Sequence, residues 1–286
     1  MATISRLDHA VINVRYGLDG AEALFETLGF TLTPRGHHSH GSQNHLMMFD
    51  HDYLELIAIP ENKQIERRDL LDAPVGINGI VFAADDVDEA YDRLSRLGFA
   101  GEPPRAFHRP VTVDGGEHEA RFRTVTVRSD VFPAGRVYFC EHLTPDLIWR
   151  PEWQHHRNGV CTIVGVVVVT EDAPAEAGRF AALLDTNVDR DELGNDMIRI
   201  NGFELTVVTP EHYRSRYGQL ASDLGDRPAI FGALVLATTD RASVRKAIEA
   251  RDGLAAIHHP DRTMIRLQTY DALLEIVDAP EAPTVP

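Results

Sequence analysis

Two side chains early in the chain have the type and placement for ion binding or proton transfer. His9 lies in Leu7-Asp8-His9-Ala10-Val11, and Glu55 in Tyr53-Leu54-Glu55-Leu56-Ile57. Both runs are otherwise mostly apolar. A carboxylate in such a run is seldom buried without a partner, and an imidazole beside it can carry a proton or hold an ion. A His-rich loop, Gly36-His37-His38-Ser39-His40-Gly41, leads toward the strand that follows it, and substrate contact from one of its histidines is expected. There is no Gly-rich phosphate loop, no CxxC pair and no Gly-x-Ser-x-Gly elbow, so readings based on a Ser or Cys nucleophile have no support.

The elements that must position these groups come in four copies. Strand-like openings stand at Leu7-Asp8-His9-Ala10-Val11-Ile12, Ile77-Asn78-Gly79-Ile80-Val81-Phe82, Ile163-Val164-Gly165-Val166-Val167-Val168 and Ile230-Phe231-Gly232-Ala233-Leu234-Val235. Each module closes on a strand followed by a proline. Five residues before Pro60, Pro145, Pro210 and Pro280 stand Glu55, Cys140, Leu205 and Glu275. The opening column therefore reads His, Gly, Gly, Gly and the closing column Glu, Cys, Leu, Glu. A repeat of this kind governs the whole fold.

Within each module the pattern predicts strand, helix, then three strands. Apolar residues at helical spacing mark helices over Leu18–Leu28, Val87–Leu97, Ala175–Leu184 and Ala242–Ala250, with Asp172 and Asp240 as N-caps. Asn201-Gly202 is a strong hairpin signal, and Asp50-His51-Asp52 plays the same part in the first module. Strand alternation puts Tyr53, Glu55 and Ile57 on one face and Leu54 and Leu56 on the other, and likewise groups His9, Val11 and Asn13. Whether His45 faces Glu55 depends on the hairpin: a three-residue turn says yes, a two-residue turn no. The polar stretch Arg150–Gly159 reads as a linker or covering loop flanked by Trp149 and Trp153, His155 and His156 as surface residues, and Ala279–Pro286 as a frayed tail.

The bulk properties are those of a globular chain: 286 residues, 43% hydrophobic, 25% charged. A net charge of −16 argues against a nucleic-acid binder and against docking on anionic lipid. Cys140 and Cys161 read as small buried residues in a reducing compartment. No apolar run reaches membrane-span length and the N-terminus lacks a signal-peptide core, so the cytoplasm is the default compartment.

Four βαβββ modules opening on Leu-Asp-His and closing on Tyr-Leu-Glu-Leu-Ile resemble the vicinal oxygen chelate superfamily. Arg35-Gly36-His37, Asn44-His45-Leu46, Tyr53–Ile57 and Cys140-Glu141-His142-Leu143-Thr144-Pro145 are most similar to its glyoxalase-like domain branch. The resemblance implies an α+β fold with modules paired into two glyoxalase/bleomycin-resistance/dioxygenase-like domains, 1–150 with the candidate site and 160–280 with a degenerate one. It implies a divalent metal held by first-strand and last-strand residues, here His9 and Glu55. Imidazole and carboxylate suit Zn, Ni, Mn or Fe(II). It further implies substrate contacts at His37, Asn44, His45 and Tyr53, and makes Glu55 ligand, catalytic base or both in turn.

The chain departs from that pattern. Module two has Gly79 and Cys140 where its ligands are expected, and the second half keeps Glu275 alone, so it is expected to be metal-free and unlike extradiol dioxygenases. A third ligand must come from elsewhere. His142 is the best candidate because it shares a strand face with Cys140, followed by His45 and His37. The function implied is a metal-dependent enzyme chelating a small oxygenated substrate, as isomerase, lyase or dioxygenase. The rival is a non-catalytic binding or resistance protein of the same fold. A small molecule is the expected partner, nucleic acid and membrane are not, and a homodimer is left open.

Overall fold

A computed structural model describes residues 6–61, 67–251 and 254–280. Residues 281–286 of the expected tail lie outside the described residues. The first module contains β1 (Leu7–Arg15), α1 (Leu18–Thr27), β2 (Gly36–His37), β3 (Gln43–Met48) and β4 (Tyr53–Ala58). A short helix, α2 (Arg68–Leu71), precedes the second module: β5 (Gly76–Ala83), α3 (Val87–Leu97), β6 (Arg105–Val113), β7 (Gly116–Thr126) and β8 (Arg136–His142). The third is β9 (Val160–Thr170), α4 (Ala173–Leu184), β10 (Val188–Arg190), β11 (Asp196–Ile200) and β12 (Phe203–Val208). After α5 (Pro210–Tyr217) comes the fourth: β13 (Ala229–Thr238), α6 (Arg241–Glu249), β14 (Ala255–His258), β15 (Arg262–Leu267) and β16 (Ala272–Asp278).

Helices α3, α4 and α6 start where short polar side chains satisfy the free N–H groups of the first turn. Asp172 accepts from the Ala175 amide and Asp240 from the Ser243 amide, as the sequence predicts; Asp86 does the same for α3. Pro174, within the first turn, lets α4 begin at Ala173, two residues before the apolar spacing suggests. Asn201 and Gly202 both take positive φ and join β11 to β12 with Ile200 opposite Phe203.

Modules pair into two eight-stranded mixed sheets, β2-β3-β4-β1-β5-β8-β7-β6 and β10-β11-β12-β9-β13-β16-β15-β14. Alternation splits each strand between two cores. Ala10, Ile12, Leu54 and Leu56 join the helices and the second sheet in one large cluster. Val11, Tyr53, Ile57 and Val81 face the hollow of the first sheet. That sheet curls until its edges meet, and the Ser39 amide on the β2 side donates to the His108 carbonyl of β6 at 3.2 Å. Pro110, in the middle of β6, is tolerated because β6 is a sheet edge.

The second sheet treats its hollow differently. Helix α5 lies in it, with Tyr213, Tyr217 and Leu220 packed against Val167, Val169 and Ala233. The connecting stretch 145–159 is built in: His156, expected at the surface, accepts from the Thr31 amide at 2.9 Å and donates to the Met48 carbonyl at 2.9 Å. Among the described residues no helix is long and apolar enough to cross a membrane.

Candidate metal centre and cavity

The curled first sheet encloses a cavity of about 1430 Å³, with His9 and Tyr53 at its inner wall, Glu55 and Asn44 on one side and Tyr138 and Cys140 on the other. His9 and Tyr53 stand side by side on paired strands, and their rings stack with centroids 4.3 Å apart. His9 is 3% exposed and Glu55 5%. The His9 Nε2 atom lies 3.8 Å from Glu55 Oε2 and 3.1 Å from the Tyr138 hydroxyl.

Asp8 also reaches this hollow, although strict alternation would place it on the opposite face from His9. The β1–β5 register explains why. Leu7 is opposite Phe82 and His9 opposite Val81, so Asp8 is an extra residue in a β-bulge. A bulge re-aims one side chain without altering the rest of the strand. Asp8 is fully buried, and its Oδ2 accepts from His9 Nδ1 at 2.6 Å and from His142 Nε2 at 3.0 Å. Burial pushes this carboxyl up, but His142 and His9 outweigh it and hold it well below the usual carboxylate range. With Nδ1 held by Asp8, His9 turns Nε2 toward Tyr138 and Glu55. A carboxylate behind an imidazole is the usual support of a metal-binding histidine.

Glu55 has its own supports. Asn44 Nδ2 donates to Oε1 at 2.7 Å, and His38 Nε2 lies 4.0 Å from the same oxygen. Burial raises the Glu55 carboxyl, and His38, His9 and the Asn44 hydrogen bond together bring it below its ordinary value. His38 is pushed down to about 4, chiefly by burial, so its imidazole is neutral at physiological pH. Its Nδ1 bonds Ser42 Oγ at 2.8 Å.

Several expected positions are placed elsewhere. Phe49 N–H donates to the Asp52 carbonyl at 2.9 Å, leaving Asp50-His51 as a two-residue turn, and Leu46 rather than His45 stands opposite Glu55. His45 therefore lies on the helix-covered face, bonding the Thr33 carbonyl at 2.8 Å with Glu22 3.3 Å away. His37 is exposed, because alternation along Gly36-His37-His38 turns its neighbour inward instead. His142, expected as the third ligand beside His9 and Glu55, sits on the Nδ1 side of the His9 ring, away from Glu55. It belongs to another group: Asp8, Cys140 and His142 offer ligand atoms all within 4.8 Å of one another. Trp149 packs on His142 at 4.8 Å between ring centroids. Burial raises the Cys140 thiol well above its ordinary range, and Asp8 and Glu55 add to this, so it stays protonated.

Asp8 and Arg109 were missed in the sequence, and His38 was reached only as a member of the His-rich loop, with His37 named in its place. Asp8 carried the same signal as Glu55, a carboxylate in an apolar strand. In the second half, Glu275 is 1% exposed and held by Arg216 Nη2 at 2.8 Å and the Tyr217 hydroxyl at 2.5 Å. The rings of α5 leave no room around it for a second hollow of the same kind, and Leu205 packs away from it, in the large core shared by the two sheets.

A family model described as a glyoxalase-like domain matches residues 7–184, from the first strand through the end of α4. The chain belongs to that family. With it comes the vicinal oxygen chelate fold, and the solved structures agree. The glyoxalase-like chain is similar to a hypothetical protein from Staphylococcus aureus, with 11% identity over 96% of this chain and 99% of the other, and a TM-score of 0.64. It is similar to a mutant of 4-hydroxymandelate synthase from Streptomyces coelicolor, with 14% identity, coverage of 97% and 93%, and a TM-score of 0.62. It also aligns with a xylose isomerase-like TIM barrel/4-hydroxyphenylpyruvate dioxygenase fusion protein at 12% identity over 100% of this chain and 51% of that one, with a TM-score of 0.60. At these identities the likeness is one of fold. No curated protein sequence matches the chain.

Proposed function

We propose that the N-terminal hollow is the active site of a metal-dependent enzyme that chelates a small oxygenated substrate. The observation that carries this reading is the 3.8 Å approach of His9 Nε2 and Glu55 Oε2 within the cavity, with buried Asp8 gripping the far side of the imidazole. The donors fit a divalent cation. A neutral imidazole nitrogen and an ionised carboxylate are the ligand types that Zn, Ni, Mn and Fe(II) share. His38, neutral and 4.0 Å from the other Glu55 oxygen, is the third donor. When bound, such an ion supplies Lewis-acid stabilisation of enolate-like charge on two neighbouring substrate oxygens.

The remaining work falls to the chain itself. Glu55, held below its ordinary pKa, is better suited to stay ionised as a ligand than to act as a general base, whose pKa is best near the working pH. Burial raises the Tyr138 hydroxyl far above its ordinary range, so it remains a proton donor beside His9 Nε2. The buried rings of Tyr53 and Phe122 keep water from the inner wall. The names of two structural relatives, a 4-hydroxymandelate synthase and a dioxygenase fusion, are in keeping with chemistry on small oxygenated molecules.

The test is the metal content of the purified protein and of His9→Ala and Glu55→Gln. The expected result is about one ion per wild-type chain and little in either variant. A wild-type chain that takes up none of Zn, Ni, Mn or Fe(II) would overturn the enzyme reading in favour of metal-free small-molecule binding. Asp8, Cys140 and His142 are the second donor set. If Cys140→Ser loses the ion while Glu55→Gln keeps it, the ion belongs there.

A further inference from the structure

Among the described residues one deeply buried charged side chain in this cavity lacks an ion-pair partner. Arg109 lies on β6, where Phe107, Arg109, Val111 and Val113 share the inward face. It is 3% exposed, and its Nη2 has no hydrogen-bond partner. Among the described residues no carboxylate makes an ion pair with it; Glu55 and the Tyr53 hydroxyl act on it only at longer range. The neighbouring cavity arginines differ. Arg67 is bound to Asp69 at 2.8 Å through both oxygens, and Arg136 donates to Asn78 at 2.9 Å and to Asp69 at 3.4 Å.

Burying an unpaired ion costs several kcal/mol even after relaxation. A fold retains such a group when something else supplies the opposite charge. The chain also makes room for it. A Cβ on Gly36 would lie 2.5 Å from Arg109 Nη1 and 2.2 Å from Asn44 Oδ1, so the missing side chain leaves the space in which the guanidinium rests. Asn44 Oδ1 is itself buried without a partner, while the Asn44 amide nitrogen bonds Glu55. Beside Arg109 stand Phe107 and Phe122, stacked at 5.0 Å between ring centroids. The whole protein carries a net charge of −16, yet six arginines line this cavity against four carboxylates.

We propose that Arg109 is the anchor for a substrate carboxylate, and that the ligand of this cavity is an organic acid with an apolar or aromatic body. A guanidinium fork matches one carboxylate through two parallel hydrogen bonds. The acid end docks on Arg109, the body lies along Phe107 and Phe122, and the remaining oxygens face Glu55 and His9. The assignment rests on this cavity being the binding site, as the proposed function does, but not on a metal being there.

The experiment therefore uses the full chain in EDTA, so that metal binding and acid binding fail separately. Benzoate, phenylacetate and phenylpyruvate are titrated against wild type and Arg109→Met by calorimetry and thermal unfolding, with phenylacetamide and phenyl phosphate as controls. At least one of the acids should bind wild type and raise its Tm. Its affinity should fall by about tenfold or more in Arg109→Met, and phenylacetamide should not bind comparably. The unliganded variant should be at least as stable as wild type, because a structural arginine would show a lowered Tm whereas an unpaired one would not. Equal acid binding by both proteins, no binding by any acid, or a large loss of unliganded stability would each overturn the proposal. Tighter binding of phenyl phosphate than of every carboxylate would overturn the carboxylate assignment.

Discussion

The residue that organises the site does so from behind. Asp8 touches neither Glu55 nor Tyr138, yet it fixes which nitrogen of His9 faces them. Asp8→Asn keeps the size of the side chain but removes the charge that holds Nδ1–H. Metal affinity should fall about 10- to 100-fold, with the fold intact by circular dichroism; unchanged titrations would show that His9 needs no such support. His9 and Glu55 were legible in the sequence, because repeat columns and period-two alternation fix which face they share, whereas Asn44 came only through the family resemblance. Asp8 was not, because a bulge suspends that alternation at one position. His45 turned on a single residue of turn length, and the two-residue turn at Asp50-His51 sends it to the helix side. His38 in place of His37 follows from the parity of β2, a strand too short to leave a pattern. Arg109 went unread because its strand, with His108, Pro110 and Thr112 facing out, was not recognised as an element that faces the hollow.

At the scale of elements, the β3–β4 hairpin does more than carry Glu55. Asp52, next to its turn, accepts from Thr162 Oγ1 at 2.6 Å and from the Ile163 amide at 3.0 Å, both on β9 of the other half. Burial pushes the Asp52 carboxyl up to about 7, against the lowering effect of those two bonds. Between pH about 4 and about 7 the folded chain therefore holds a proton that the unfolded chain has released, and stability falls as pH rises through this window. Asn can accept from the Ile163 amide and donate to Thr162 without titrating. In Asp52→Asn the drop in urea midpoint between pH about 5 and about 8 should be smaller than in wild type. Identical drops would mean that Asp52 is ionised throughout. The helices and hairpins themselves were the most legible part of the fold, since Asp172, Asp240 and Asn201-Gly202 each act through local backbone geometry. The pairing of hairpin against β9 was not, because contacts between halves leave no periodic trace.

At the scale of the whole molecule, two copies of one architecture have opposite interiors. The first is hollow and the second is filled by α5, whose Arg216 and Tyr217 hold Glu275 in place. Arg216→Met leaves that buried carboxylate with Tyr217 and the more distant Arg262, 3.7 Å away. The variant should lose about 3 kcal/mol of stability by urea unfolding, while the metal content of the first half stays unchanged. Loss of metal instead would tie the filled half to the site. The filling also limits what point substitutions can restore. A Cβ at Gly232, the column where the first module has His9, would lie 2.7 Å from the Tyr213 ring and 2.6 Å from Val169. A Cβ at Gly165 would press on the Glu204 carbonyl at 2.9 Å. A histidine written back at Gly232 would therefore collide with the plug, and one at Gly165 with the backbone of β12, before either created a site. For an engineer seeking a bifunctional version of this chain, the helix must be removed before the ligands are reinstated. For a lineage drifting by single changes, the second interior is a one-way door.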